Sequence, residues 1–180
     1  MKIIALLLLC ATMLATSCKK EDVEPENPAD ALPPATQIGA QTFGCLVDGE
    51  VFLPKDIGNS RLRAFYQNID GRFYLGISST SENKNNSISI SLQGEELNPI
   101  QENEYLLGSE EVAKLSAVFI EGFQNQLITR TSNLNPGSVV ITKHDTENFI
   151  LSGTFQFTVL DEDGTEIKVT DGRFDVKYIN

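Results

Sequence analysis

Tryptophan is absent from this chain of 180 residues, histidine occurs once, as His144, and cysteine occurs three times. So few His and Cys leave a structural zinc site without its usual ligands, and any serine triad would have one base to recruit. Cys10 lies inside an N-terminal apolar run and Cys18 at its end, so only Cys45 remains for the body, where no internal disulfide can form. Cations are scarce as well: 14 Lys and Arg stand against 25 Asp and Glu, a formal net charge of -11. Such a surface repels phosphate backbones and argues against nucleic acid as a partner. Nor does any apolar run reach the about 20 residues of a spanning helix. What remains is ordinary for a globular chain, 41% hydrophobic and 22% charged, long enough for one domain plus a tether. No repeat of fixed period is present.

Met1-Lys2 followed by apolar Ile3 to Leu14 reads as a signal-peptide core covering residues 1–17. Leu14-Ala15-Thr16-Ser17-Cys18 resembles a bacterial lipobox, in which small residues precede a cysteine that is lipidated and becomes the mature N-terminus. The commonest pattern has leucine three residues before the cysteine; here Ala15 holds that place and Leu14 is displaced by one. The resemblance implies a lipid anchor on Cys18, through which the chain would hold a membrane. Each buried methylene contributes about 0.8 kcal/mol, so two or three acyl chains hold firmly where one does not. Lys19-Lys20-Glu21-Asp22 resembles the short lysine-plus-acidic signal that directs Bacteroidota lipoproteins to the outer face of the outer membrane. Residues 18–41 are acidic and carry Pro25, Pro28, Pro33 and Pro34, the composition of a flexible, solvated tether. In polyproline-II form some 20 such residues would hold the body up to roughly 60 Å from the lipid.

From Thr42 the pattern changes to short runs in which apolar and polar residues alternate. Ile88, Ile90 and Leu92 alternate with serines; Phe155, Phe157 and Val159 with Gln156 and Thr158; Phe174, Val176 and Tyr178 with charged residues. Further strands are expected near residues 61–67, 73–78, 115–120, 126–131, 138–142 and 149–151. Asp48-Gly49, Asp70-Gly71, Asp163-Gly164 and Asp171-Gly172 recur between such runs, and Asp-Gly is favoured where both central turn residues need positive φ. Residues 42–180 are therefore expected as a single all-β domain, an antiparallel β-sandwich or partly closed barrel of roughly eight to ten strands.

The C-terminal stretches Gly153 to Thr158 and Ile167 to Val176 resemble a family of uncharacterised Bacteroidota lipoproteins carrying a domain of unknown function. Thr42-Phe43-Gly44-Cys45-Leu46-Val47-Asp48-Gly49 is similar to the same family's opening strand and turn. The resemblance implies a secreted single-domain β protein and brings no activity or site with it. It leaves Ser78 to Asn135 unassigned.

Few residues gather into a chemical constellation. Asp161-Glu162-Asp163-Gly164-Thr165-Glu166 clusters carboxylates, but its spacing is wrong for an EF-hand and reads as a solvated hairpin tip. Ser81-Glu82-Asn83-Lys84 matches the nucleophile motif of penicillin-recognising enzymes without its helix or companion motifs. His144 reads as part of an exposed turn or strand end, and nothing singles out a carboxylate pair for hydrolysis. Neither a cofactor nor a metal is called for. Phe65-Tyr66 and Phe73-Tyr74 each place one ring opposite its neighbour, which makes Tyr66 and Tyr74 the candidate ligand-binding aromatics on an exposed sheet. The expectation is a membrane-anchored, non-enzymatic module that binds an extracellular glycan or envelope protein, or contributes to envelope architecture. A carboxylate-based hydrolase and a carrier of a small hydrophobic ligand in a barrel cavity are the alternatives.

Overall fold

The computed structural model describes residues 25–54, 62–82, 86–108, 114–124 and 126–180. Eleven strands appear among them: β1 Thr42–Val47, β2 Glu50–Phe52, β3 Leu62–Ile69, β4 Arg72–Glu82, β5 Ser87–Leu97, β6 Glu104–Leu107, β7 Leu115–Glu121, β8 Leu127–Arg130, β9 Gly137–Asp145, β10 Ile150–Leu160 and β11 Glu166–Lys177. They form two antiparallel sheets, six-stranded β2-β1-β11-β10-β9-β6 and five-stranded β3-β4-β5-β7-β8. The fold is a β-sandwich, not a closed barrel. No helix among the described residues is long and apolar enough to cross a membrane.

Alternation supplies the core. Phe43, Cys45, Val139, Ile141, Leu151, Phe155, Phe157, Val169, Phe174 and Val176 of the six-stranded sheet meet Ala64, Tyr66, Leu75, Ile77, Ile90, Leu92, Leu115, Ala117 and Phe119 of the other. Burying each large apolar side chain contributes about 1.5–3 kcal/mol. Cys45 is fully buried, and burial pushes its thiol well above the ordinary cysteine range, so it packs as a small hydrophobe.

The strand count exceeds the expected eight to ten for identifiable reasons. β2 is only three residues long and β6 only four, too short for periodicity to register; each becomes a strand by pairing, with β1 and β9 respectively. Three of the four Asp-Gly pairs sit between strands. Asp48-Gly49 and Asp70-Gly71 have positive φ at both residues and close two-residue hairpins, while Asp163-Gly164 lies in the longer β10–β11 loop. Asp171-Gly172 is no hairpin turn. Asp171, at φ 53°, is an extra residue inside β11, where the register against both β1 and β10 shifts by one. Positive φ here builds a bulge that bends a continuous strand.

One inward group is a polar misfit. Ser79 on β4 is 0% exposed, and its hydroxyl has no hydrogen-bond partner. Desolvation without a partner is unfavourable, so Ser79→Ala is expected to stabilise the fold by about 1 kcal/mol, read as a higher urea midpoint. A lower midpoint would mean that the hydroxyl contributes to the native state.

The expected tether differs most. Residues 18–24 lie outside the described residues, but from Asn27 the chain is laid on the body. Asn27 caps a short 3-10 turn, Pro28–Ala31, by accepting from the Ala29 amide, and Leu32 is buried. The segment that follows is fastened by Asp175 of β11, whose carboxylate accepts from the Thr36 hydroxyl at 2.6 Å and from the amides of Ile38, Gly39 and Ala40 at 3.0, 2.8 and 3.0 Å. The Ser152 hydroxyl adds a fifth bond at 2.7 Å. Composition marks this segment as solvated because its partner lies more than a hundred residues along the chain.

Candidate functional site

The two sheets turn very different outer faces to solvent. Across the six-stranded sheet, residues 32–41 form a strap. Leu32 and Pro33 lie over Gly44, where a Cβ would come within 2.8 Å of Pro33 Cδ; Gln37 reaches the Thr142 carbonyl; and Gln41 accepts from the Lys177 amide. The strap leaves a hollow of about 530 Å³ beside Ala35, Glu104, Thr154 and Arg173. Among the described residues nothing comparable crosses β3, β4 and β5.

There a groove of about 750 Å³ runs over the outward residues Arg63, Phe65, Gln67, Ile69, Tyr74, Ser78, Ser91 and Gln93, with Glu95 at its margin. Phe65 pairs with Gly76 across the β3–β4 ladder. A Cβ at Gly76 would run into the Phe65 ring, so the glycine lets that ring lie down on the sheet. Phe65 is nonetheless 41% exposed and Ile69 52%. Tyr74 stands half-buried on the same face. Amide and hydroxyl groups of Gln67, Gln93, Ser78 and Ser91 surround these rings. The result is an apolar platform inside a polar frame, suited to a ligand with an apolar face and a hydroxylated rim.

Tyr74 thus occupies the expected face, and Tyr66 does not. Tyr66 is 5% exposed and points into the core, stacked on Phe73 at 5.1 Å, with its hydroxyl accepting from the Ile100 amide at 2.9 Å. The exposed member of its pair is Phe65. Residues 62–69 carry apolar side chains on both parities, which hides the phase; it follows from pairing, because Ala64 and Tyr66 must share a face with inward Leu75 and Ile77.

His144 stands near the end of β9, one of the two places expected for it, but it is not exposed. It sits on β9, half-buried, edge-on to Tyr66 at 4.8 Å. One ring nitrogen lies 3.0 Å from the Ile100 carbonyl, which can only accept, so Nδ1 carries the proton. Nε2 then accepts from the Tyr178 hydroxyl at 3.2 Å. Burial pushes the Tyr178 hydroxyl up, with the nearby Tyr66 and Asp145 adding to the shift. Both imidazole nitrogens are therefore committed to protein partners, and the neighbouring hydroxyl is a phenol held in its protonated form. In the acidic loop, Asp161 accepts from the Asp163 and Thr165 amides and so shapes the hairpin. Among the described residues no group of three or more His, Cys, Asp or Glu is placed to hold a metal ion. Cys18, Lys19, Lys20, Glu21 and Asp22 lie outside the described residues, as do Asn83 and Lys84 of the serine motif.

Fold and faces define an antiparallel β-sandwich with one strapped face and one open face of mixed aromatic and polar character. The chain belongs to the family described as Domain of unknown function (DUF6252), whose profile matches residues 62–176. That span runs from β3 to β11, including the middle stretch that the C-terminal resemblance left unassigned; the similar opening strand and turn at residues 42–49 fall outside it. No curated protein and no solved structure matches the chain.

Proposed function

We propose that the protein is a bacterial lipoprotein, anchored to the outer membrane through Cys18 and displayed towards the cell exterior, whose open β3–β4–β5 face holds an extracellular glycan without converting it. The observation that carries the binding reading is the asymmetry of the faces: one sheet is closed over by its own chain, while the other keeps a groove of about 750 Å³ floored by Phe65 and Tyr74. A sugar ring presents C–H groups on its flat faces and hydroxyls at its rim, matching rings flanked by Gln67, Gln93, Ser78 and Ser91. Absence of a closed barrel removes the scaffold for a small hydrophobic-ligand carrier.

The anchor reading rests on the apolar run, the lipobox-like residues before Cys18 and the charges of Lys19 to Asp22. Because the chain is laid on the body from Asn27 onward, the stretch from Cys18 to the body reaches at most about 30 Å even when fully extended. That is half the reach expected from composition, so the body would stand close to the lipid surface.

Screening the detergent-solubilised lipoprotein on a glycan array, then measuring affinity for the captured glycan, tests the binding reading. Phe65→Ala and Tyr74→Ala are each expected to weaken binding about tenfold, the loss of roughly 1.4 kcal/mol of stacking and burial. Both side chains are outward, so the fold should survive. Affinity unchanged in the double variant would contradict the assignment of this face.

A further inference from the structure

The open face carries arginines beside its rings and amides. Arg63 pairs across the ladder with Ser78, and Ser78 with Ser91, so an arginine and two serines form one transverse row of the groove. Arg72, exposed and two residues before Tyr74 on β4, adds a second on the same face. Facing them are two glutamates, Glu95 at the groove margin and Glu82 at the far end of β4. On a chain with 25 acidic and 14 basic residues, that is a local balance of charge.

Elsewhere, ion pairs take up Lys114, Lys143 and Lys168, bound to Glu96, Asp145 and Glu166. Arg63 and Arg72 have no ion-pair or hydrogen-bond partner among the described residues. A guanidinium fork left free is a ready receptor for a planar anion, because it can donate two parallel hydrogen bonds. Long-range repulsion by the acidic remainder does not cancel this, since fields are screened beyond about 8 Å at physiological salt. Arg63 lies opposite Ser78, six residues along β4 from Arg72, so the two guanidinium groups stand about 20 Å apart at the two ends of the groove. No single small anion spans that distance; a chain of sugars does.

We propose, building on the glycan-binding reading above, that the ligand of this face is an acidic polysaccharide whose anionic groups meet Arg63 and Arg72 while sugar rings lie on Phe65 and Tyr74. Affinity electrophoresis of the full lipidated chain in neutral detergent tests it, with polygalacturonate, dextran sulfate and uncharged dextran as probes. Retardation by an acidic probe, absent with dextran and abolished near 0.5 M salt (about a 4 Å screening length), is the expected result. The R63Q/R72Q variant should lose at least about tenfold in affinity, and Lys168→Gln, on the other sheet, should leave it unchanged. Equal retardation by dextran, insensitive to R63Q/R72Q, would overturn the acidic assignment and leave glycan binding standing. Equal losses from R63Q/R72Q and Lys168→Gln would also overturn it, by reducing the effect to net charge. Retardation by none of the probes would overturn it as well, and if the glycan array is also blank, the glycan reading falls with it.

Discussion

Asp175→Ala is expected to destabilise the protein by about 3–5 kcal/mol and to detach the strap, the largest effect of any single side-chain truncation outside the hydrophobic core. Five donors converge on this fully buried carboxylate. Removing it strands three amides and two hydroxyls where water does not replace the lost acceptor. Burial alone would raise its pKa, but the hydrogen bonds from Thr36, Ser152 and the Ala40 and Ile38 amides outweigh burial and hold it at about 2. The folded pKa lies below the unfolded value of about 3.9, so the ionised group stabilises the native state at neutral pH. That contribution is lost as pH falls from about 4 through about 2. A urea midpoint should drop steeply in Asp175→Ala and less in Asp175→Asn, which keeps one acceptor oxygen. Limited proteolysis should then cut within residues 32–41, which the native fastening protects. An unchanged midpoint would mean that the strap is not held by this carboxylate.

The second large effect is expected at Gly153, in the middle of β10. This strand pairs with β9 on one side and β11 on the other, and the β9 register shifts between Ser152 and Gly153. A Cβ here would strike the Val140 carbonyl oxygen and lie 2.8 Å from Cζ of Phe174. The first of these is backbone in a paired strand and cannot swing aside. Gly153→Val should therefore cost about 3 kcal/mol or more. Gly49→Val is the informative contrast, because nothing lies within 4 Å of a Cβ there and its penalty comes from the φ of 86° alone. If Gly153→Val unfolds at the wild-type urea midpoint, the close approach of β9 and β10 is wrong.

The fold was legible wherever a property repeats locally. Alternation marks β5, the second half of β10 and the end of β11, and Asp-Gly marks two tight hairpins. Where meaning depends on a distant partner, the same signals mislead. Asp171-Gly172 carries the dipeptide of Asp48-Gly49 yet bends a strand, because β1 and β10 pair on both sides of it. Residues 32–41 have the composition of free chain, and partners remote in sequence, Asp175 foremost, convert them into a strap. The candidate site divides in the same way. Tyr74 could be placed from the sequence. Phe65 could not, because the phase of β3 is set by its partner β4, and Arg63 and Arg72 come to one face only after those two strands have been put in register.

Membrane partition of the Cys18→Ser chain tests the anchored-module reading most directly. With wild-type protein in the membrane fraction, resistant to high salt and released by detergent, the variant is predicted to appear in the soluble fraction with its fold intact. A folded Cys18→Ser chain that stays with the membrane under the same washes would contradict a lipid anchor at this residue.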